Sequence, residues 1–178
     1  MLPSFDEALV RGVATYALEM LTAVPDLDTV YVPIGMGSGI CGMISARDGL
    51  GLKTEIVGVV AAGAPTYALS VAAGRPVPTE RADTMADGLA CRVPHPDALA
   101  TILSGAARIV TVDDAAIRAA MRAYYSDTHN IAEGAGAAPL AALLAERDRM
   151  RGRRVGLVLS GGNVDRPLYR AVLGEDDA

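Results

Sequence analysis

The stretch "PIGMGSGICG", residues 33–42, joins an apolar run to a segment with helical spacing. Residues Thr29–Ile34, which run into its start, are mostly β-branched and aromatic, which predicts a buried strand. Residues Ser38–Leu50, which begin within it, predict a helix. A glycine-rich turn between a strand and a helix leaves backbone N–H groups at the helix N-terminus free to bind an anion. The stretch therefore predicts a phosphate site in an α/β fold. A tight turn that serves only strand–helix packing is the alternative.

Two nucleotide-binding patterns share part of this turn. Residues 37–42 match the G-x-G-x-x-G pattern of dinucleotide-binding folds. That pattern also needs a carboxylate near the end of the next strand, where residues 59–63 read VVAAG. A P-loop needs Lys and Ser or Thr after its last glycine, but Met43 and Ile44 follow Gly42. A nicotinamide-dependent oxidoreductase is thus a remote alternative, and nucleoside triphosphate binding is excluded.

Strand and helix patterns alternate along the rest of the chain. The predicted strands are Lys53–Val60, Arg108–Val112 and Arg154–Leu159, and the predicted helices are Phe5–Val24, Pro65–Ala73, Ala115–Tyr125, Ala132–Arg149 and Val164–Leu173. Thr111 with Asp114 predicts a capping box, and Arg75–Pro96 predicts a long, partly ordered connection. This order predicts one α/β domain with a mostly parallel sheet and flanking helices.

Composition narrows the class of protein. The net charge of −5 and the absence of an Arg/Lys-rich tract argue against nucleic-acid binding. Apolar runs end before the roughly 18 residues that a membrane span needs, and residues 1–7 do not resemble a signal peptide, so we expect a cytoplasmic protein. Cys41 and Cys91 are far apart in unlike contexts, which predicts two small core residues rather than a disulfide or a zinc site.

A second glycine pair lies in "LSGGN", residues 159–163, directly after the last predicted strand. The carboxyl ends of parallel strands open on one edge of a sheet, where α/β folds bind ligands. The first turn suits a phosphate, and the second offers a hydroxyl and an amide. Together they predict one ligand site with two ends.

Four ordered segments carry a family resemblance: "PDLDTVYVPIGMGSGICG" (25–42), "ADGLA" (86–90), "HNIAEGAGAAPLAAL" (129–143) and "VLSGGN" (158–163). The sequence resembles the later half of the pyridoxal-phosphate enzymes of the tryptophan-synthase-β fold type, specifically threonine and serine dehydratases and serine racemases. The resemblance implies that residues 1–178 form a partial large domain of fold type II. The lysine-bearing N-terminal part and the small domain would be absent.

The resemblance also implies a cofactor, pyridoxal 5'-phosphate, and the residues that hold it. The glycine loop would bind the phosphate, although Met36 stands where members usually have glycine. Ser160 would hydrogen-bond the pyridine nitrogen, Asn163 would brace that turn, and Glu133 would lie near the cofactor or serve only as a carboxylate at a helix N-terminus. The implied cofactor-binding residues are Gly35, Met36, Gly37, Ser38, Gly39, Glu133, Ser160 and Asn163.

The activity implied is removal of water and then ammonia from threonine or serine to give a 2-oxo acid. In the family, a lysine forms a Schiff base with the cofactor and moves the substrate α-proton. The only lysine here, Lys53, matches no such position, so no catalytic residue is predicted and the chain alone is expected to be inactive.

The expected partners are an amino-acid substrate and either further copies of this chain or a complementing chain. No metal site is predicted, because residues 60–63 lack the glutamate that several members use, and Asp87 before a glycine is typical of a turn. The alternative function is a non-catalytic module that binds a phosphate ligand or a partner.

Overall fold

The computed structural model describes residues 5–174, which form a four-stranded sheet in which every pair is parallel. The strand order is β3-β2-β1-β4. The strands are β1 (Thr29–Pro33), β2 (Glu55–Ala61), β3 (Arg108–Val112) and β4 (Val155–Leu157). The predicted α/β class with a parallel sheet is confirmed.

Seven α-helices and one 3-10 turn, Asp87–Leu89, connect and cover these strands within the described residues. They are α1 (Glu7–Ala23), α2 (Ser38–Gly49), α3 (Thr66–Ala73), α4 (Pro96–Gly105), α5 (Asp114–Thr128), α6 (Gly134–Ala145) and α7 (Arg166–Leu173). Successive strand residues point to opposite faces of a sheet. Val30 and Ile56 therefore pack with α1, α2 and α4, while Tyr31 and Val57 pack with α5 and α6.

One helix was not predicted, and several boundaries, that of β2 among them, differ from the sequence-based prediction. Helix α4 was not predicted, although Pro96 at its first turn and the apolar residues Ala98, Leu99 and Ile102 are typical of a helix start and a buried face. The connection before α4 is irregular apart from the 3-10 turn, as expected. Strand β2 begins two residues after Lys53, which lies exposed outside it.

The capping box predicted for α5 is wrong. The N-cap is Asp113, whose carboxylate accepts a hydrogen bond from the Ala116 amide at 2.7 Å. The Asp114 carboxylate instead accepts bonds from the Thr84 hydroxyl at 2.6 Å and the Met85 amide at 2.8 Å. Asp114 therefore fixes the connection that leads to the 3-10 turn.

The sheet order positions the two glycine turns. Strands β1 and β4 are neighbours, with Tyr31 opposite Leu157, and the Val158 amide donates to the Tyr31 carbonyl at 3.1 Å. Because the two strands are parallel, the turns that follow them leave the sheet side by side at its carboxyl edge.

Cys41 and Cys91 are both buried and unpaired, as predicted for core residues. None of the helices in residues 5–174 combines the length and the apolar character needed to cross a bilayer.

Candidate functional site

A cavity of about 490 Å³ opens where the turns after β1 and β4 meet. Most of the predicted cofactor-binding residues line it: Gly35, Met36, Gly37, Ser38, Gly39, Glu133 and Ser160. Asn163 does not; it lines an adjoining cavity of about 380 Å³, whose wall Glu133 shares. The structure thus brings Ser38 and Ser160 to one space and leaves Asn163 beside it.

Glycine is required at two positions of the first turn. Gly37 has φ 103°, in the left-handed region that residues with a Cβ rarely adopt, and it is the N-cap of α2. A Cβ on Gly35 would overlap the carbonyl oxygen of Gly88 in the 3-10 turn. The backbone of the turn therefore forms part of the cavity wall. Side chains at Gly35 and Gly37 would prevent this.

The N-terminus of α2 carries unsatisfied hydrogen-bond donors. Its first amide with a backbone acceptor is that of Cys41, which donates to the Gly37 carbonyl at 3.0 Å. The amides of Ser38, Gly39 and Ile40 have no intrahelical acceptor, and no side chain caps the helix. Free amides and the positive end of the helix dipole together favour an anion at this end of the cavity.

Met36, the residue that departs from the family's usual glycine, does not obstruct the turn. Its side chain packs against the core beneath the turn, and its Sδ lies 3.6 Å from the Cys91 Sγ. Cys91 is buried, and burial raises the pKa of its thiol. The pair is therefore a neutral packing contact that holds Met36 at the edge of the cavity.

Glu133 contacts the second glycine turn through both its backbone and its side chain. The Glu133 amide donates to the Gly161 carbonyl at 3.1 Å, and a Cβ on Gly161 would lie 2.7 Å from the Glu133 Oε1. Glu133 is the N-cap residue of α6 but makes no side-chain capping bond. Its carboxylate therefore stands both at a helix N-terminus and at the wall of the cavity that Ser160 lines, so the structure is compatible with both roles predicted for it.

Lys53 lies away from this cavity. It precedes β2, at the end of the strand opposite the edge where β1 runs into the glycine turn, and it is exposed. Asp87 is exposed at the start of the 3-10 turn, beside the second cavity. Within residues 5–174 no group of three His, Cys, Asp or Glu side chains is placed to hold a metal ion.

Several cavity residues were not predicted. Val13 and Tyr16 come from α1, Ala135 comes from α6, and Gly88 and Leu89 come from the 3-10 turn. The "ADGLA" segment marked Gly88 and Leu89 as part of a family motif but not as part of the site. No sequence pattern separates Val13 and Tyr16 from the other apolar positions of α1, because their place at the cavity depends on how α1 packs.

Comparison with known proteins identifies the family. A model of the family described as "Pyridoxal-phosphate dependent enzyme" matches residues 1–161. The chain belongs to this family. Its curated relatives include a putative threonine dehydratase of Sinorhizobium fredii, 34% identical over 97% of this chain and 53% of the relative, and an L-threonine ammonia-lyase of Geobacter sulfurreducens, 37% identical over 90% of this chain and 40% of the relative.

Solved structures of a serine racemase and a threonine deaminase share the fold. Maize serine racemase superposes with a TM-score of 0.87 at 31% identity, covering 96% of this chain and 54% of the racemase chain. The processed form of threonine deaminase isoform 2 from Solanum lycopersicum superposes with a TM-score of 0.91 at 28% identity, covering 96% and 48%. The predicted resemblance and the family's cofactor, pyridoxal phosphate, are confirmed. The chain spans about half the length of the relatives it matches.

Proposed function

We propose that this chain binds pyridoxal 5'-phosphate in the cavity between the two glycine turns and forms one part of an enzyme that removes water and ammonia from threonine or serine. The observation that carries the proposal is that Ser38 and Ser160, on turns more than a hundred residues apart, line one cavity. The reaction class is supported by the relatives, which are named as a putative threonine dehydratase and an L-threonine ammonia-lyase. Their greater length supports the view that this chain is a fragment or a split subunit, inactive alone.

The first turn fits the phosphate group of the cofactor. A phosphate dianion needs several donors within a small space and a positive local potential. The free amides at the start of α2 and the Ser38 hydroxyl supply the donors, and the dipole of α2 supplies the potential. Because Gly35 and Gly37 add no side chains, an anion can approach the backbone closely.

The second turn fits the other end of the cofactor. Bound pyridoxal phosphate supplies an aldehyde that condenses with amines and a ring that draws electrons from the substrate α-carbon. The Ser160 hydroxyl would hydrogen-bond the ring nitrogen without placing a full negative charge beside it. Such a neutral partner stabilises a protonated ring less than a carboxylate does, which favours rapid loss of the β-hydroxyl over prolonged carbanion chemistry.

The lysine of the reaction would come from outside the described cavity. Lys53 is exposed and lies at the opposite end of β2, so it cannot reach a cofactor between the two turns. We therefore expect the amine that binds the aldehyde and moves the α-proton to come from outside residues 1–178. The role of Asn163 would be to brace the Ser160 turn from the adjoining cavity.

Equilibrium dialysis of the chain with pyridoxal phosphate and with pyridoxal tests this proposal. The two ligands differ only in the phosphate, so the native chain should bind the phosphorylated form more tightly. Ser38→Ala should reduce that preference, whereas Ser160→Ala should weaken both ligands equally. Ser104→Ala, on the exposed side of α4, is the control and should change neither.

Two results would count against the proposal. Equal binding of the two ligands by the native chain would show that the first turn is not a phosphate site. Equal affinity for pyridoxal phosphate and for inorganic phosphate, unaffected by Ser160→Ala, would instead indicate a non-catalytic module that binds phosphate ligands.

A further inference from the structure

A hydrogen-bond relay through the buried Tyr67 lies behind the first glycine turn. The His95 amide donates to the Tyr67 hydroxyl oxygen at 3.1 Å, and that hydroxyl donates to the Met36 carbonyl oxygen at 2.7 Å. Tyr67 is 1% exposed and comes from α3, while His95 is the N-cap residue of α4. The relay therefore ties two helices to one peptide group of the turn.

The relay fixes the orientation of the next amide. A trans peptide group is planar, so its carbonyl and its N–H point in opposite directions, and no cis peptide occurs among the described residues. Tyr67 packs in the core under the turn, and Gly37 lines the cavity. When the Met36 carbonyl points towards Tyr67, the N–H of Gly37 points away from the core and towards the cavity.

The hydroxyl of Tyr67 has one available direction for its proton. Its oxygen accepts the His95 amide, so its hydrogen is left for the Met36 carbonyl. Burial raises the pKa of Tyr67 to about 12, so the hydroxyl stays protonated and remains a donor at neutral pH. A Cβ on Gly37 would lie 3.2 Å from this hydroxyl. The ring of Tyr67 therefore packs closely against the backbone of the turn.

We propose that Tyr67 is a positioning residue for phosphate binding, which holds the Met36–Gly37 peptide so that the Gly37 amide is a further donor to the phosphate. The proposal rests on the proposed function, since it concerns the phosphate end of that cofactor site. Tyr67 itself does not touch the ligand; it acts through the backbone of the turn.

The variant Tyr67→Phe removes the hydroxyl and keeps the ring. Loss of one oriented donor should lower the affinity for pyridoxal phosphate about three- to tenfold. The affinity for pyridoxal should not change, because that ligand lacks the phosphate. A purely structural role of Tyr67 would weaken both ligands alike, so the ratio of the two affinities separates the two roles.

The matched control is Tyr124→Phe, which removes a hydroxyl from a partly buried tyrosine of α5 on the opposite face of the sheet. It should leave both affinities unchanged. If the native chain prefers pyridoxal phosphate and Tyr67→Phe keeps that preference in full, the role of Tyr67 is wrong while the cofactor site stands. If the native chain shows no preference, both proposals fail.

If Tyr67→Phe does not fold, a measurement on the native chain tests whether Tyr67 positions the Gly37 amide. Inorganic phosphate is titrated while nuclear magnetic resonance follows the backbone amides and the buried Tyr67 hydroxyl proton. The Gly37 amide and the Tyr67 hydroxyl should shift together with the amides of Ser38 and Gly39. Shifts at Ser38 and Gly39 with none at Gly37 or Tyr67 would overturn the proposal.

Discussion

Gly37 shows how one residue determines the shape of the candidate site. Its φ of 103° allows the chain to leave β1 and enter α2 without a side chain at the cavity wall. A Cβ there would lie 2.8 Å from the Cβ of Ala98, which belongs to α4. Backbone conformation and close packing therefore both favour glycine at this position.

We expect Gly37→Ala to lower the free energy of unfolding by about 2 kcal/mol, from left-handed strain and the clash with Ala98. It should also weaken the binding of pyridoxal phosphate. Gly12→Ala is the control: Gly12 is exposed within α1 with open space around it, and alanine should stabilise the chain by about 0.5 to 1 kcal/mol. Urea titrations of both variants give the comparison, and equal effects would contradict the account.

At the residue scale, the candidate site was predictable where a backbone pattern marks it. Gly37, Ser38 and Ser160 lie in glycine turns that local chemistry identifies, and the structure places them at one cavity. Tyr16 and Tyr67 lacked such a signal. Their hydroxyls bond carbonyls of the turn, a relationship that depends on how helices α1 and α3 pack.

At the scale of elements, a hydrogen-bonded cluster joins α6 to the sheet. The Tyr31 hydroxyl donates to the Glu146 Oε2 at 2.6 Å, and Arg108 donates to the same oxygen at 2.6 Å. Glu146 is the C-cap residue of α6, while Tyr31 and Arg108 come from β1 and β3. The cluster fixes the end of α6 opposite Glu133.

This cluster predicts a dependence of stability on pH. The hydrogen bond from Arg108 is the main reason that the pKa of Glu146 lies below its ordinary value of 4.5. A carboxylate with a lowered pKa in the folded state adds stability above the ordinary value, and that stability is lost as the pH falls through the lowered one. The native chain should therefore lose stability as the pH drops below about 4.5.

Glu146→Gln should reduce the free energy of unfolding by about 2 kcal/mol at neutral pH. The difference between native chain and variant should shrink as the pH falls below the ordinary carboxyl value, because the native carboxylate is then protonated. Glu80→Gln, at an exposed position, is the control and should have little effect. Urea titrations across the acid range give the comparison, and a difference that does not change with pH would rule out this account.

The N-terminus of α5 provides a direct comparison of two predictions. The structure places the cap at Asp113, so Asp113→Ala should cost about 1 kcal/mol. Thr111 lies exposed in β3 and does not cap the helix, so Thr111→Ala should cost no more than about 0.5 kcal/mol. Thermal unfolding measures both, and the reverse order would restore the capping box predicted from the sequence.

The order of strands and helices could be predicted from the sequence because their patterns alternate clearly. The four predicted strands correspond to the observed β1 to β4. The bounds of β3 are as predicted, β1 and β4 are shorter than predicted, and β2 is shifted towards its C-terminal end. Helix α4 was not predicted from the sequence because it follows a proline-rich connection. The cap of α5 was misplaced because Asp113 and Asp114 are adjacent acidic residues, and only the fold shows that Asp114 bonds to Thr84.

At the scale of the whole molecule, strand order makes the candidate site possible. The sequence predicts that both glycine turns lie at the same edge of a parallel sheet, but it does not predict that β1 and β4 are neighbours. The crossover from β3 through α5 and α6 returns the chain to the far side of β1. This arrangement brings Ser38 and Ser160 to one cavity.

Hydrogen–deuterium exchange of the full chain with and without pyridoxal phosphate tests the central claim most directly. One ligand between the two turns should slow exchange in both segments, residues 35–41 and 159–163, and leave the segment around Lys53 unchanged. Slower exchange in only one of the two turns, or around Lys53 instead, would contradict the account.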